Sequence, residues 1–165
     1  LSVNTLEGSR QGPSYTMDTL REYHETIDPA HLHFIMGAAD LPTLPQWKGG
    51  LSLLSMAIFT IVPRDGHGLD SVAGFLRDHE SELGRAVRLK PAARPSGADA
   101  AWRLPTDNNA LAGPLIIYIN APPLDISSSQ IRDLWRQNRS LDFLVPRTVQ
   151  QELEANEKDL EGAWR

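Results

Sequence analysis

The 165-residue chain contains no cysteine, which excludes a disulfide framework, a thiol nucleophile and a cysteine-ligated zinc site, and fits a reducing, cytoplasmic setting. It also contains no apolar run of the roughly 18–20 residues that a membrane-spanning helix needs. The longest apolar stretch, residues 51–62, is interrupted by Ser52, Ser55 and Thr60. A basic charge balance is missing as well, though a local site for a small anion stays open. The formal net charge is −5, and a broad nucleic-acid face would need clustered Lys and Arg to neutralise phosphates. Residues 1–11 are polar and lack the apolar segment of a signal peptide. The chain opens on Leu1 rather than methionine, which reads as a fragment or a processed product.

With 41% hydrophobic and 22% charged residues, the composition is that of an ordinary globular domain, and the length suits one such domain. Gly12-Pro13-Ser14 precedes Met17, Leu20, Tyr23 and Ile27 at helical spacing. Ser14 is therefore expected to cap a helix running to about residue 26. Residues 32–36 read as a short buried strand ending at Gly37. Residues 57–62, β-branched and aromatic, form the clearest strand, stopped by Pro63-Arg64-Asp65-Gly66. A helix over 69–83, a short strand at 86–89 and a strand at 115–120 continue the alternation. Such alternation implies an α/β fold with a parallel sheet. Residues 91–114 contain four prolines and no periodicity, and read as an inserted loop. Two helices, beginning near Ser128 and Arg147, close the chain, with a frayed charged tail from Glu154.

Ile126-Ser127-Ser128-Ser129-Gln130-Ile131-Arg132 follows a strand and opens a helix. Ser127 and Gln130 have capping-box spacing, and Ile131, Leu134 and Trp135 supply a buried stripe. A helix start offers unpaired N–H groups and the positive end of the dipole, so three hydroxyls and Arg132 there suit an anion such as a polyphosphate. Taken by spacing alone, a serine-rich helix start with a solvated arginine is the commoner explanation.

The whole string closely resembles the Ile-Ser-Ser-Thr-x-Ile-Arg signature of adenylyltransferases related to nicotinate-nucleotide adenylyltransferase. Three further stretches resemble the same family in the same order. They are Gly12-Pro13-Ser14-Tyr15-Thr16-Met17-Asp18-Thr19-Leu20, then Phe34-Ile35-Met36-Gly37-Ala38 continued through Leu44-Pro45-Gln46-Trp47, then Leu144-Val145-Pro146. The resemblance spans most of residues 12–150 outside the insertion. It implies a Rossmann-like nucleotidyltransferase fold whose first two strands lie outside this chain. It also implies transfer of AMP from ATP to nicotinate mononucleotide in NAD synthesis, with magnesium accompanying the ATP.

By that resemblance Thr16, with Tyr15 beside it, recognises the nicotinate carboxylate, and Trp47 stacks on the pyridine ring. Gly37 lets nucleotide approach its strand end. Ser127, Ser128, Ser129 and Arg132 bind ATP phosphates, Arg132 as the catalytic cation, and Arg64 occupies a common family position. Departures are visible. The family's Asp two residues after the glycine is Ala39 here, with Asp40 one position late, so the ribose contact either passes to Asp40 or is lost. Lys48-Gly49-Gly50 is an unusual sequel to Trp47. The family's His-x-x-His motif has no counterpart: His31 and His33 have the wrong spacing, and His24, His67 and His79 are scattered without metal-ligand partners. The expectation is of an impaired fragment of such an enzyme. A noncatalytic nucleotide-binding scaffold and a sister transferase with another phosphorylated acceptor are the competing readings. Homo-oligomerisation is left open by the sequence.

Overall fold

A segment apolar except for Thr60, Ile58–Val62, forms the strand around which the first part of the chain is organised. The computed structural model describes residues 3–105, 114–122 and 126–163. The chain divides into two compact units, Leu1–Pro123 and Leu124–Arg165.

In the first unit the strands are β1 (His33–Gly37), β2 (Ile58–Val62), β3 (Val87–Arg88), β4 (Ala100–Arg103) and β5 (Leu115–Tyr118), arranged β1-β2-β5-β4-β3. The sheet is open and mostly parallel. β2 pairs in parallel with β1 and with β5, whereas β4 is antiparallel to both β5 and β3. Four strands thus share one direction and β4 alone reverses. The arrangement is that of a mixed α/β, Rossmann-like nucleotidyltransferase fold.

β2 is mostly apolar, with Thr60 its one polar residue, and its central residues Phe59, Thr60 and Ile61 are buried. Phe59 and Ile61 are fully buried on one face, beside Phe34 and Met36 of β1 and Ile116 and Tyr118 of β5. Against this face pack α1 (Thr16–His24), through Met17 and Leu20, and α2 (Leu69–Asp78), through Val72, Phe75 and Leu76. Ile35, on the other face of β1, is 69% exposed.

The link from β1 to β2 contains two 3-10 segments, Leu41–Gln46 and Gly50–Ser55, where an α/β crossover would usually place an α-helix. Pro42 and Pro45 lack amide protons for a regular α-helical ladder, and Leu41, Leu44, Leu53 and Leu54 bury themselves instead.

Four local expectations are corrected. The cap of α1 is Tyr15, not Ser14: the Tyr15 carbonyl accepts from the amides of Asp18 (3.0 Å) and Thr19 (3.2 Å). Ser14 instead donates its hydroxyl to the Glu7 carbonyl at 3.4 Å. The helix after β2 breaks at His79 into α2 and the short α3 (Glu80–Leu83). His79 donates Nδ1–H to the Phe75 carbonyl at 2.9 Å, a local bond that competes with helix continuation. The proline-rich 91–114 stretch contains a 3-10 turn, Pro91–Ala93, and the whole of β4, whose Ala100, Ala101 and Trp102 are buried. Its residues 106–113 lie outside the described residues.

The second unit is helical: α4 (Ser128–Arg136), α5 (Arg147–Ala155) and α6 (Glu157–Ala163). Residues 157–163 of the charged tail are therefore helical, where a frayed tail was expected. Glu157 and Asp159 in the first turn of α6 complement its dipole. Among the described residues no helix is long and apolar enough to cross a membrane.

Candidate functional site

Parallel strands bring their carboxyl ends to one edge of the sheet, where open α/β folds hold ligands. At that edge Gly37 pairs with Val62, and the Ala38 amide donates to the Val62 carbonyl at 2.8 Å. The absent side chain of Gly37 makes room for two others. A Cβ there would lie 2.6 Å from Cδ of Arg64, 3.1 Å from its Cβ and 3.2 Å from Oδ2 of Asp40. Gly37, Asp40 and Arg64 thus form one cluster.

Arg64 is held by a tight turn. Its amide donates to the His67 carbonyl (3.1 Å) and the His67 amide donates to its carbonyl (2.8 Å), across Asp65 and Gly66, both at positive φ. An Asp-Gly pair suits such a two-residue reversal. The guanidinium is half exposed, with Nε 3.5 Å from the Asp65 carboxylate. Ala39 stands where the family acid was expected. Asp40, one residue on, precedes the 3-10 segment without capping it through its side chain. Its carboxylate is left beside Gly37 and Arg64.

The same 3-10 segment delivers Trp47. Leu41 and Leu44 anchor it in the core. The indole N–H donates to the Thr43 hydroxyl at 3.0 Å, and the ring meets Phe34 edge-on, with centroids 6.3 Å apart. The rest of the half-buried indole is open. Lys48 then reaches back to α1: its Nζ is 2.7 Å and 3.0 Å from the two carboxylate oxygens of Asp18 and 4.8 Å from the centre of the Tyr15 ring. The Lys48 hydrogen bond is the main reason the Asp18 carboxyl titrates below its ordinary 3.8, aided by the charges of Lys48, Arg10 and Arg21 and opposed by desolvation. Tyr15 and Thr16, at the start of α1, are in this way brought beside the Trp47 turn. Thr16 is half-buried, and its hydroxyl has no hydrogen-bond partner among the described residues. Sequence reasoning missed Lys48, Asp18 and Thr43; the unusual Lys48-Gly49-Gly50 run was the one available signal.

The second unit carries the serine-rich helix start. Ser127 caps α4, its hydroxyl accepting from the Gln130 amide at 3.1 Å, as the spacing predicts. Ser128 and Ser129 are exposed. Arg132 donates from Nη2 to the Ser129 hydroxyl at 3.0 Å, which turns the guanidinium toward the first turn. No acidic residue occupies that turn, so the positive end of the dipole is not neutralised locally. Ile131, Leu134 and Trp135 are half-buried.

Four of the five histidines are engaged elsewhere, and His31 is exposed. His24 donates Nε2–H to the Met56 carbonyl at 2.5 Å, His33 Nδ1 lies 3.1 Å from the Thr60 hydroxyl, and His67 donates to the Asp65 carbonyl at 3.0 Å. With His79 on Phe75, they hold local structure.

An open, mostly parallel sheet with polar groups at its strand ends, and a serine-rich helix start, defines the class as a Rossmann-like nucleotidyltransferase. No family model matches the chain. Curated relatives are more informative. Over 165 residues, the whole chain and 68% of the relative, it is 31% identical to a probable nicotinate-nucleotide adenylyltransferase of Maridesulfovibrio salexigens. Proteins of the same name from Marinomonas sp. (27% over 161 residues) and Corynebacterium kroppenstedtii (30% over 150 residues) match 95% and 91% of the chain. The chain belongs to the nicotinate-nucleotide adenylyltransferase family. It spans 68%, 63% and 54% of the length of these three relatives.

Proposed function

We propose that this chain supplies the acceptor-binding and phosphate-binding parts of an enzyme that transfers AMP from ATP to nicotinate mononucleotide, giving deamido-NAD and pyrophosphate. The observation that carries this reading is the meeting of the Trp47 turn with the Tyr15-Thr16 helix start through Lys48. A half-open indole is a platform for a flat heteroaromatic ring. The neighbouring helix start, with the unengaged Thr16 hydroxyl, offers donors to a carboxylate. Together they suit an aromatic acid.

In the proposed reaction a phosphate oxygen of the mononucleotide attacks the α-phosphorus of ATP, the bond to the β-phosphate oxygen breaks, and pyrophosphate departs. Positioning and charge stabilisation carry most of such a step. Ser127, Ser128, Ser129 and Arg132 would hold the phosphates, and Arg132 would stabilise charge on the leaving pyrophosphate. Gly37 and Arg64 would contact the nucleotide at the strand end, with Asp40 taking the ribose contact that Ala39 cannot make. Among the described residues no three His, Asp or Glu side chains converge on a metal site. Magnesium, as the family resemblance implies, would accompany the nucleotide and neutralise triphosphate charge. The His-x-x-His pair is absent from these residues, so low activity is proposed for this chain by itself.

Pyrophosphate release with ATP and either nicotinate or nicotinamide mononucleotide tests the reading, using the protein that carries this chain. Release with the acid in preference to the amide is expected. Release with neither favours a noncatalytic nucleotide-binding protein, and release only with a different phosphorylated acceptor favours a sister transferase.

A further inference from the structure

The turn after Trp47 is seated on α1 at two points. Lys48 pairs with both Asp18 carboxylate oxygens while its ammonium lies over the Tyr15 ring. The next residue, Gly49, has φ of 95° and presses so closely on the helix that a Cβ would fall 1.9 Å from Cε of the buried Met17. The turn then closes on itself, the Gly50 amide donating to the Trp47 carbonyl at 2.8 Å. Asp18 and Lys48 are 30 residues apart in sequence, so their contact joins two separately delivered segments. One brings Tyr15 and Thr16; the other brings Trp47.

We propose that Lys48 is a positioning residue for the acceptor: its pair with Asp18, beside the Tyr15 ring, latches the Trp47 turn to the first turn of α1 and fixes the gap between indole and helix start. This rests on the acceptor reading given above and deepens it. Lys48 acts through Trp47 and touches no reacting atom. The pair's two polar contacts and the cation–ring contact leave the ammonium committed to the protein. A latch of this kind reduces the ordering cost of binding, so its loss weakens acceptor binding and leaves the chemical step alone.

The test compares Lys48→Ala, Lys48→Arg, Asp18→Ala and the Lys48→Ala/Asp18→Ala double variant by acceptor KM, ATP KM, kcat and amide hydrogen exchange of residues 47–52. Lys48→Ala should raise the KM for nicotinate mononucleotide about three- to fivefold, the scale of an exposed ion pair. Its kcat and ATP KM should stay within about twofold. Lys48→Arg should restore most of the loss. In the Asp18→Ala background, Lys48→Ala should add nothing further. Exchange across 47–52 should quicken in Lys48→Ala while α2 stays protected. Unchanged acceptor KM, additive effects of the two single variants, or unchanged exchange at 47–52 would each overturn the latch. If the unaltered protein transfers AMP to neither mononucleotide, the acceptor reading fails and takes the acceptor role of Lys48 with it. The exchange measurement, which needs no activity, then decides whether the turn is latched at all.

Discussion

Replacing Gly37 with alanine puts one methyl group where Arg64 already lies. Gly37 has an ordinary strand backbone, so no conformational penalty attaches to a side chain, and the smaller unfolded-state freedom of alanine would contribute about 0.4–1 kcal/mol of stability. Against this stands the packing. The new Cβ would fall 2.6 Å from Cδ of Arg64, 3.1 Å from its Cβ and 3.2 Å from Oδ2 of Asp40. The Cδ lies along a flexible stem and can swing away. The Arg64 Cβ is fixed by the Arg64–His67 turn and cannot. Overpacking of this sort costs about 1–3 kcal/mol, leaving Gly37→Ala about 1–2 kcal/mol less stable after the entropic gain. In the Arg64→Gly background both the 2.6 Å and the 3.1 Å contacts disappear, so the same change should cost under about 1 kcal/mol, a coupling of order 1 kcal/mol between the two sites. Urea unfolding of the four proteins measures both quantities. Wild-type stability for Gly37→Ala, or strict additivity with Arg64→Gly, would refute the claim that this glycine exists to admit the arginine.

Ser127→Ala removes the acceptor for the Gln130 amide and should cost about 1 kcal/mol, while Ser127→Asp, which keeps an acceptor, should not; urea midpoints test both. Phe143 holds φ of 65° with its side chain 101% exposed, so Phe143→Gly loses no packing and relieves a left-handed conformation. A gain of about 1 kcal/mol is expected, and a loss of stability would show that the phenyl ring is held after all. Asp18 titrates below its ordinary value because of Lys48. Its contribution to stability is therefore present above the unfolded-state value of about 4 and is lost as pH falls through the lower folded value. The urea midpoint of the wild type should exceed that of Lys48→Met at pH 6, and the gap should shrink as pH falls below the ordinary 3.8 of Asp18; a gap unchanged in acid would exclude the ion pair as its cause.

What could be read from the chain depended on the range of each interaction. β2 was legible because a central strand writes a nearly continuous apolar run, broken here by Thr60 alone, and the Ser127 cap because its donor is three residues away. β4 was not legible. Ala100 and Ala101 carry neither alternation nor β propensity, and they are strand because they pair with Tyr118 and Ile117 of β5. Ser14 matched the composition of a cap, yet capping requires the residue whose backbone leads into the first turn, which is Tyr15. At the candidate site the motif residues could be named, but not what holds them. The Lys48–Asp18 pair closes over 30 residues, and the packing of Arg64 on Gly37 depends on strand register rather than spacing.

Thr43 ties together two site residues that the sequence treats as separate. Its hydroxyl donates to the Asp40 carbonyl at 2.7 Å and accepts from the Trp47 indole N–H at 3.0 Å. One oxygen therefore links the start of the Leu41–Gln46 segment to the residue that ends it. The segment is stiffened by Pro42 and Pro45 and anchored by Leu41 and Leu44, so it behaves as a strut between Asp40 at the strand end and Trp47 above Phe34. Moving the acid from position 39 to 40 places it at the head of this strut. Thr43→Val keeps the shape and deletes both hydrogen bonds. Since Thr43 is exposed and water can replace part of each bond, the loss should be about 1 kcal/mol in total. Thr43→Ser keeps the hydroxyl and should lose less than half of that. Urea unfolding gives the stabilities, and amide exchange at Trp47, whose amide donates to the Leu44 carbonyl at 3.0 Å, reports the strut itself. Equal stability and exchange in the valine and serine variants would mean that the hydroxyl is incidental and that leucine anchoring alone sets the position of the indole.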